Sequence, residues 1–253
     1  MNLGELLEEL RENILHDRSD RVAGESDRLW SDRTLIHYIN EAELRMARHA
    51  LMIRDNTTPE VCRLQTKPWE KEYPLHSAVC GVISARCEGD RADLARAGHA
   101  SFDTYHTPDT YFFDPSSLAQ LPPGKILAWD SDEGVLPDDN GSMGRVQFRS
   151  YPAPDPQHAV PIHLRVVRYP LRRLKRKSDV PEIPEEHHLD MLDWAAYLAL
   201  RITDIDAGMP DRALEFRQSF ETHVAEAKKV AMRKMFANSN WGFGRNGFSW
   251  ETN

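Results

Sequence analysis

Few residues in this 253-residue chain could perform chemistry. Glu185 and His188 stand in an E-x-x-H spacing. On a helix that spacing sets a carboxylate and an imidazole on one face, the arrangement used by di-iron bundles. Such sites need a second copy of the motif and further inward carboxylates, and no second E-x-x-H occurs. The pair therefore reads as a solvated helix start, with a metal-dependent enzyme as the rival. Cys62, Cys80 and Cys87 are odd in number, which argues against a disulfide framework. Cys80 and Cys87 have His76 nearby but lack the tight C-x2-C spacing of zinc sites. They read as small buried hydrophobes. The spacings of a nucleophile elbow, a zinc protease, a P-loop and a dinucleotide loop are all missing. The expectation is a protein with no catalytic residue, no metal and no cofactor.

Two other clusters suit binding rather than catalysis. Arg165, Arg168, Arg172, Arg173, Lys175, Arg176 and Lys177 form a basic run with no acid inside it. Such a run fits a phosphate backbone or an acidic partner surface, through an attraction that weakens in salt. A solvated strand end and linker is the plainer reading. The second cluster is the C-terminal NSNWGFGRNGFSWETN, where Trp241, Phe243, Phe248 and Trp250 alternate with Gly242, Gly244 and Gly247. Aromatic rings are costly to leave in water, while glycines oppose a stable local fold. The segment is either a floppy end or one that orders on a partner, with its aromatics as anchors.

The elements that would position these clusters follow from hydrophobic period. Leu3, Leu6, Leu7, Leu10, Ile14 and Leu15 recur at helical spacing. A polar loop follows. Ser31 then sits where a hydroxyl can accept a free first-turn N–H, and Asp32 adds charge at the positive helix end. Thr34 occupies the third helical position, so the full capping box is missing. The stripe of this helix is Leu35, Ile36, Ile39, Ala42, Met46, Ala50 and Ile53, and the run Asn56 to Pro59 ends it. From Glu60 the period shortens, with breaks at Pro68, Pro74 and Gly81. Candidate strands are TYFFD (110–114), KILAW (125–129), RVQFRSY (145–151) and IHLRVVRY (162–169), bounded by turn residues. Residues 88–108 resist assignment and read as either a short helix or a loop.

Helix returns after Pro184, with Leu189, Leu192, Ala195, Ala196, Ala199 and Ile202 on one side. Met191, Trp194 and Leu198 widen that side, which suits either the internal core or a neighbouring subunit. A last long helix spans about 211–236. The predicted class is α+β: a helical bundle of two N-terminal and two C-terminal helices, an inserted antiparallel β domain, and an extended tail. The boundaries read 1–58 and 181–237 for the two halves of the bundle, 59–180 for the β-rich insert, and 238–253 for the tail.

Composition sets the outer limits. The chain is 40% hydrophobic and 28% charged, a globular balance. No apolar run approaches a membrane span. The opening MNLGELLEELREN lacks the basic-then-apolar build of a secretory leader, so the protein is expected to stay where it is made. The net charge of −8 is uneven: Glu88 to Asp139 holds eleven acids and three bases, whereas the run above is purely basic. Separate acidic and basic faces are expected, without the overall positive charge of a tight DNA binder.

The ordered succession LWSDxxLIxYINEAExRMARHAL, VPEIPEEHHLDMLDWAAYLAL and DRALEFRQSFETHVAEAKK resembles the head-to-tail adaptor (connector) proteins of short-tailed bacteriophages. The likeness includes the YPxP-type end of the β region at Tyr151 to Pro154 and the basic strand after it. The resemblance implies a virion structural protein at the head–tail interface, made in the host bacterial cytoplasm and without enzyme activity. It implies a dodecameric ring of self-contacts under the portal protein, extending the channel for genomic DNA and docking tail proteins such as a nozzle or fibre. It assigns portal binding to the C-terminal segment, hence to Trp241, Phe243, Arg245, Phe248 and Trp250. The acidic stretch would suit a channel wall, because like charge keeps DNA from sticking. The alternative is a nucleic-acid-binding protein gripping through the basic run. Thr34 departs from the pattern, which has Glu at that place, and residues 88–108 match nothing in it.

Overall fold

The computed structural model describes residues 1–17, 29–97, 120–133, 145–201 and 210–237. In chain order its helices are α1 (Leu3–Glu9), continued by a π-helical turn (Leu10–Leu15), α2 (Asp32–Ala50), the short α3 (Pro59–Cys62), a 3-10 turn (Glu185–His187), α4 (Asp190–Leu200) and α5 (Pro210–Ala237). The strands are β1 (Arg54–Asp55), β2 (Arg63–Leu64), β3 (Glu72–Pro74), β4 (Val79–Cys87), β5 (Ala95–Arg96), β6 (Ala128–Glu133), β7 (Val146–Tyr151) and β8 (Ile162–Arg168). The chain divides into two compact units, one from Met1–Ile53 with Arg168–Arg233, the other around Arg54–Val167. Mixed helix and sheet place it in the α+β class.

The first unit is helical. The box absent from α2 is found on α1: Glu5 N–H donates to Asn2 Oδ1 and Asn2 N–H donates to Glu5 Oε2, both at 3.0 Å. The first-turn N–H groups of Leu3 and Gly4 reach the carbonyls of Asp179 and Lys177 at 2.7 and 2.9 Å. The start of α1 is thereby tied to the basic segment. On α2, Thr34 N–H donates to Ser31 Oγ at 3.1 Å, the expected cap, and the two hydroxyls are 2.8 Å apart. The helix stops earlier than its stripe implies. Leu51 turns left-handed at φ 53°, so Ile53 lies beyond the helix yet stays buried. The turn at Asn56 to Pro59 instead follows β1, where Asp55 accepts from the N–H groups of Thr57 and Thr58 at 2.9 and 3.0 Å.

α4 is the centre of this unit. Leu192, Ala195 and Ala199 on one side and Met191, Trp194 and Leu198 on the other are all buried. Trp194 packs on Phe220 at 5.2 Å and Tyr197 at 4.8 Å between ring centroids, with the Arg45 guanidinium 3.8 Å from its centroid. Trp194 and Leu198 thus belong to the core of their own chain. Leu189 departs from the helical stripe: it precedes α4 and is 53% exposed. Ile202 lies outside the described residues. A buried ion cluster holds the N-terminal segment, where Arg11 donates to Asp17, Asp32 and the Trp30 carbonyl at 2.7, 2.6 and 2.8 Å.

The second unit carries two sheets. In one, β8 is the hub, pairing antiparallel with β1 and β2 and also with β4. The other runs β3-β7-β6-β5. Its outer pair β5–β6 is parallel, with Ala95 opposite Ala128, a departure from the all-antiparallel expectation. Residues 97–127 supply the length that a parallel crossover requires. Gly81 does not break β4, which runs through it for nine residues. β6 runs from Ala128 to Glu133 rather than from Lys125 to Trp129, and its register extends through Asp132 and Glu133, opposite Gln147 and Val146. Trp129 and Phe148 stack at 5.6 Å in its core. The predicted strand at 110–114 lies outside the described residues, as does most of 88–108.

Candidate interaction surfaces

The E-x-x-H pair points elsewhere than to a metal. The exposed Glu185 carboxylate holds the Met1 ammonium at 3.1 Å. His188 is buried, with Nε2 at 3.0 Å from the Ile183 carbonyl and Nδ1 at 3.1 Å from the Met1 nitrogen. Burial lowers its pKa, and both ring nitrogens are engaged. Cys62 and Cys87 are buried thiols, and burial pushes Cys87 up, away from thiolate. Cys80 is half-buried, its Sγ donating to the Val167 carbonyl at 3.1 Å.

The basic run separates into three parts. Arg165 is half-buried on β8 in the second unit; burial, and after it the Arg165 charge, lowers the pKa of Arg54. Arg168 is buried and ion-paired with Glu182. The remaining five, Arg172, Arg173, Lys175, Arg176 and Lys177, are exposed and make no ion pair among the described residues. Their backbone is fixed from several sides. Glu182 Oε1 accepts from the N–H groups of Leu171 and Arg172 at 2.8 and 3.1 Å. Asn40, on α2, acts as a peptide mimic, accepting from Leu174 N–H at 2.7 Å and donating to its carbonyl at 3.0 Å. Asp179 accepts from the N–H groups of Lys175 and Arg176 at 2.8 Å each, and these bonds hold its carboxyl below the ordinary carboxylate range. Leu174 is buried among the helices as a plug. Five cations therefore stand on a loop that loses little entropy when something binds them.

Beneath this loop lies a group the sequence reading passed over. Glu43 sits on the buried face of α2, only 2% exposed, and accepts the Glu182 N–H at 2.6 Å. Burial raises its pKa to about 7, opposed by hydrogen bonds from the Glu182 and Ile183 backbone and reinforced by the nearby Glu182 charge. An acid between Ala42 and Met46 in an apolar stripe was the available signal.

The family follows from the chain as a whole. The model of the SU10 adaptor protein family matches residues 1–241. This chain belongs to that family. It is a phage adaptor, from a family whose role is structural. No curated protein matches it. Among the described residues, no helix of the adaptor is long and apolar enough to cross a membrane.

Two further surface features of the adaptor stand out. Trp69 stands 63% exposed in the second unit, with a left-handed backbone at φ 69°. That region is unfavourable for a bulky residue and persists only where its surroundings enforce it. They do: Trp69 N–H donates to the Pro154 carbonyl at 2.8 Å, and the buried Tyr73 hydroxyl bonds to the backbone of Lys67 and Glu70. In the first unit, a cleft of about 210 Å³ lies between α2 and the start of the basic loop, lined by Glu41, Leu44, Pro170, Leu171, Arg172 and Arg173 among others. The aromatic tail residues Trp241, Phe243, Arg245, Phe248 and Trp250 lie outside the described residues.

Proposed function

We propose that this adaptor forms a closed ring beneath the portal, dodecameric as in the resembling connectors, that extends the channel for genomic DNA and docks tail proteins. The observation that carries the reading is the adaptor-family match over residues 1–241. The physical features agree with it. A ring subunit needs lateral faces that do not deform, and the packing of α4 on all sides supplies a stiff helical unit. A ring also needs two different, complementary surfaces on each copy. In this reading the aromatic tail, 238–253, latches onto the portal through Trp241, Phe243, Arg245, Phe248 and Trp250, with the flanking glycines letting it adapt. The test is a full chain and a chain lacking 238–253, each mixed with the portal protein of the same phage and imaged by electron microscopy. A ring under the portal with the full chain, and its loss with the truncated chain at unchanged circular dichroism, is expected. Full affinity after truncation refutes the tail assignment.

A second reading is favoured by the five exposed cations, which make no ion pair among the described residues. The loop from Arg172 to Lys177 binds the phosphates of duplex DNA. Neutralising five phosphates gives a slope of about −4 to −5 for log K against log salt. A flat slope, or binding unchanged after Arg172, Arg173 and Arg176 are replaced by Gln, removes this reading.

A further inference from the structure

We propose that Trp69 of one adaptor copy seats in the cleft between α2 and the basic loop of the next copy, so that each subunit carries both halves of the lateral ring contact. This rests on the ring reading above and names the residues that join its copies.

Trp69 is a built feature rather than a stray exposed residue. Its loop is clamped by Tyr73 and Pro154, and its backbone is held where a bulky side chain is disfavoured. A large aromatic kept rigid and in water supplies contact area at low entropic cost, the property of interface anchors. The cleft complements it in size and chemistry. Leu44, Pro170 and Leu171 give apolar walls, and about 210 Å³ is room for one aromatic side chain. Arg172 and Arg173 at the rim are exposed cations without ion pairs among the described residues, and a guanidinium stacks favourably on an indole face. The half-exposed Glu41 offers an acceptor for the indole N–H, which needs a partner once buried.

The flanking Lys67 and Glu70 pair with each other at 3.4 Å, so the indole itself is what the cleft would recognise. Knob and hole are different surfaces of one chain. Repeating that contact produces the heterologous association from which rings close.

The test uses two full-length variants, Glu70→Cys and Arg173→Cys, mixed in equal amounts with portal protein and treated with a short bismaleimide. The unsubstituted chain controls for the native cysteines. A band of two chains, formed only in the mixture, is expected, and adding Trp69→Ala should reduce it at least about tenfold. Trp69→Ala should keep its circular dichroism, because the side chain is exposed. Leu44→Glu is the matching change on the other half and should act alike. Rings forming normally with both substitutions overturn the Trp69 contact while leaving the ring reading in place. Cross-links confined within single chains overturn it also. No oligomer of the unsubstituted chain on the portal overturns the ring reading and this inference with it.

Discussion

Glu43 offers the sharpest test of the packing described above. It is buried on α2, its carboxyl lifted from 4.5 to about 7, first by loss of water and then by the Glu182 charge. In the unfolded chain it titrates near its ordinary value. Between those two values the folded protein holds a proton that the unfolded chain has released, so stability falls as pH rises through that window. The contribution is complete below pH 4.5 and lost as pH climbs through about 7. A displacement of this size corresponds to about 3 kcal/mol at most. Replacing Glu43 by Gln keeps an oxygen for the Glu182 N–H and removes the charge. Urea unfolding followed at 222 nm should find Glu43→Gln within about 1 kcal/mol of the unsubstituted chain at pH 5, and more stable by about 2–3 kcal/mol at pH 8. Comparing the two proteins at each pH cancels the histidines that titrate in the same range. A difference that does not change with pH would refute the argument, since it would mean that Glu43 is ionised and solvated in the fold.

Three further outcomes follow from other buried contacts. Arg11→Met leaves Asp17 buried without its counter-ion, and should cost about 3–5 kcal/mol in urea melts. Asn40→Ala removes both hydrogen bonds to Leu174; it should cost about 2 kcal/mol and speed hydrogen exchange at the Leu174 amide while helix content is kept. Trp129→Ala deletes a fully buried ring stacked on Phe148; a loss of about 3–5 kcal/mol is expected, with the near-ultraviolet dichroism of the stacked pair abolished.

Much of the helical part was legible because helical burial writes itself as a local period. Leu3, Leu6, Leu7 and Leu10 repeat at the spacing of one helix face, and all four are buried. Ser31 was identifiable as a cap because its hydroxyl acts within three residues. The strands at Val146–Tyr151 and Ile162–Arg168 were legible for the same reason, from β-branched and aromatic alternation between turn residues. The family was legible in the order of its segments rather than in any one residue.

What depended on distant partners was not legible. Ile53 fits the stripe of α2, but pairing of the next residues, Arg54 and Asp55, with β8 required the helix to stop at Ala50. Arg168 is chemically like Arg172, and its bonds to the Glu182 carboxylate and the Tyr169 carbonyl make it an anchor where Arg172 stays an exposed cation. The exposure of Trp69 and the burial of Glu43 are likewise decided by Tyr73, Pro154 and Glu182, residues remote from them or on other elements. Local sequence determined which segments coil and which extend, since those choices rest on near-neighbour sterics and period. The tertiary structure alone decided which charges lose their water and which aromatic keeps it, because solvation is set by what the folded chain brings alongside each residue.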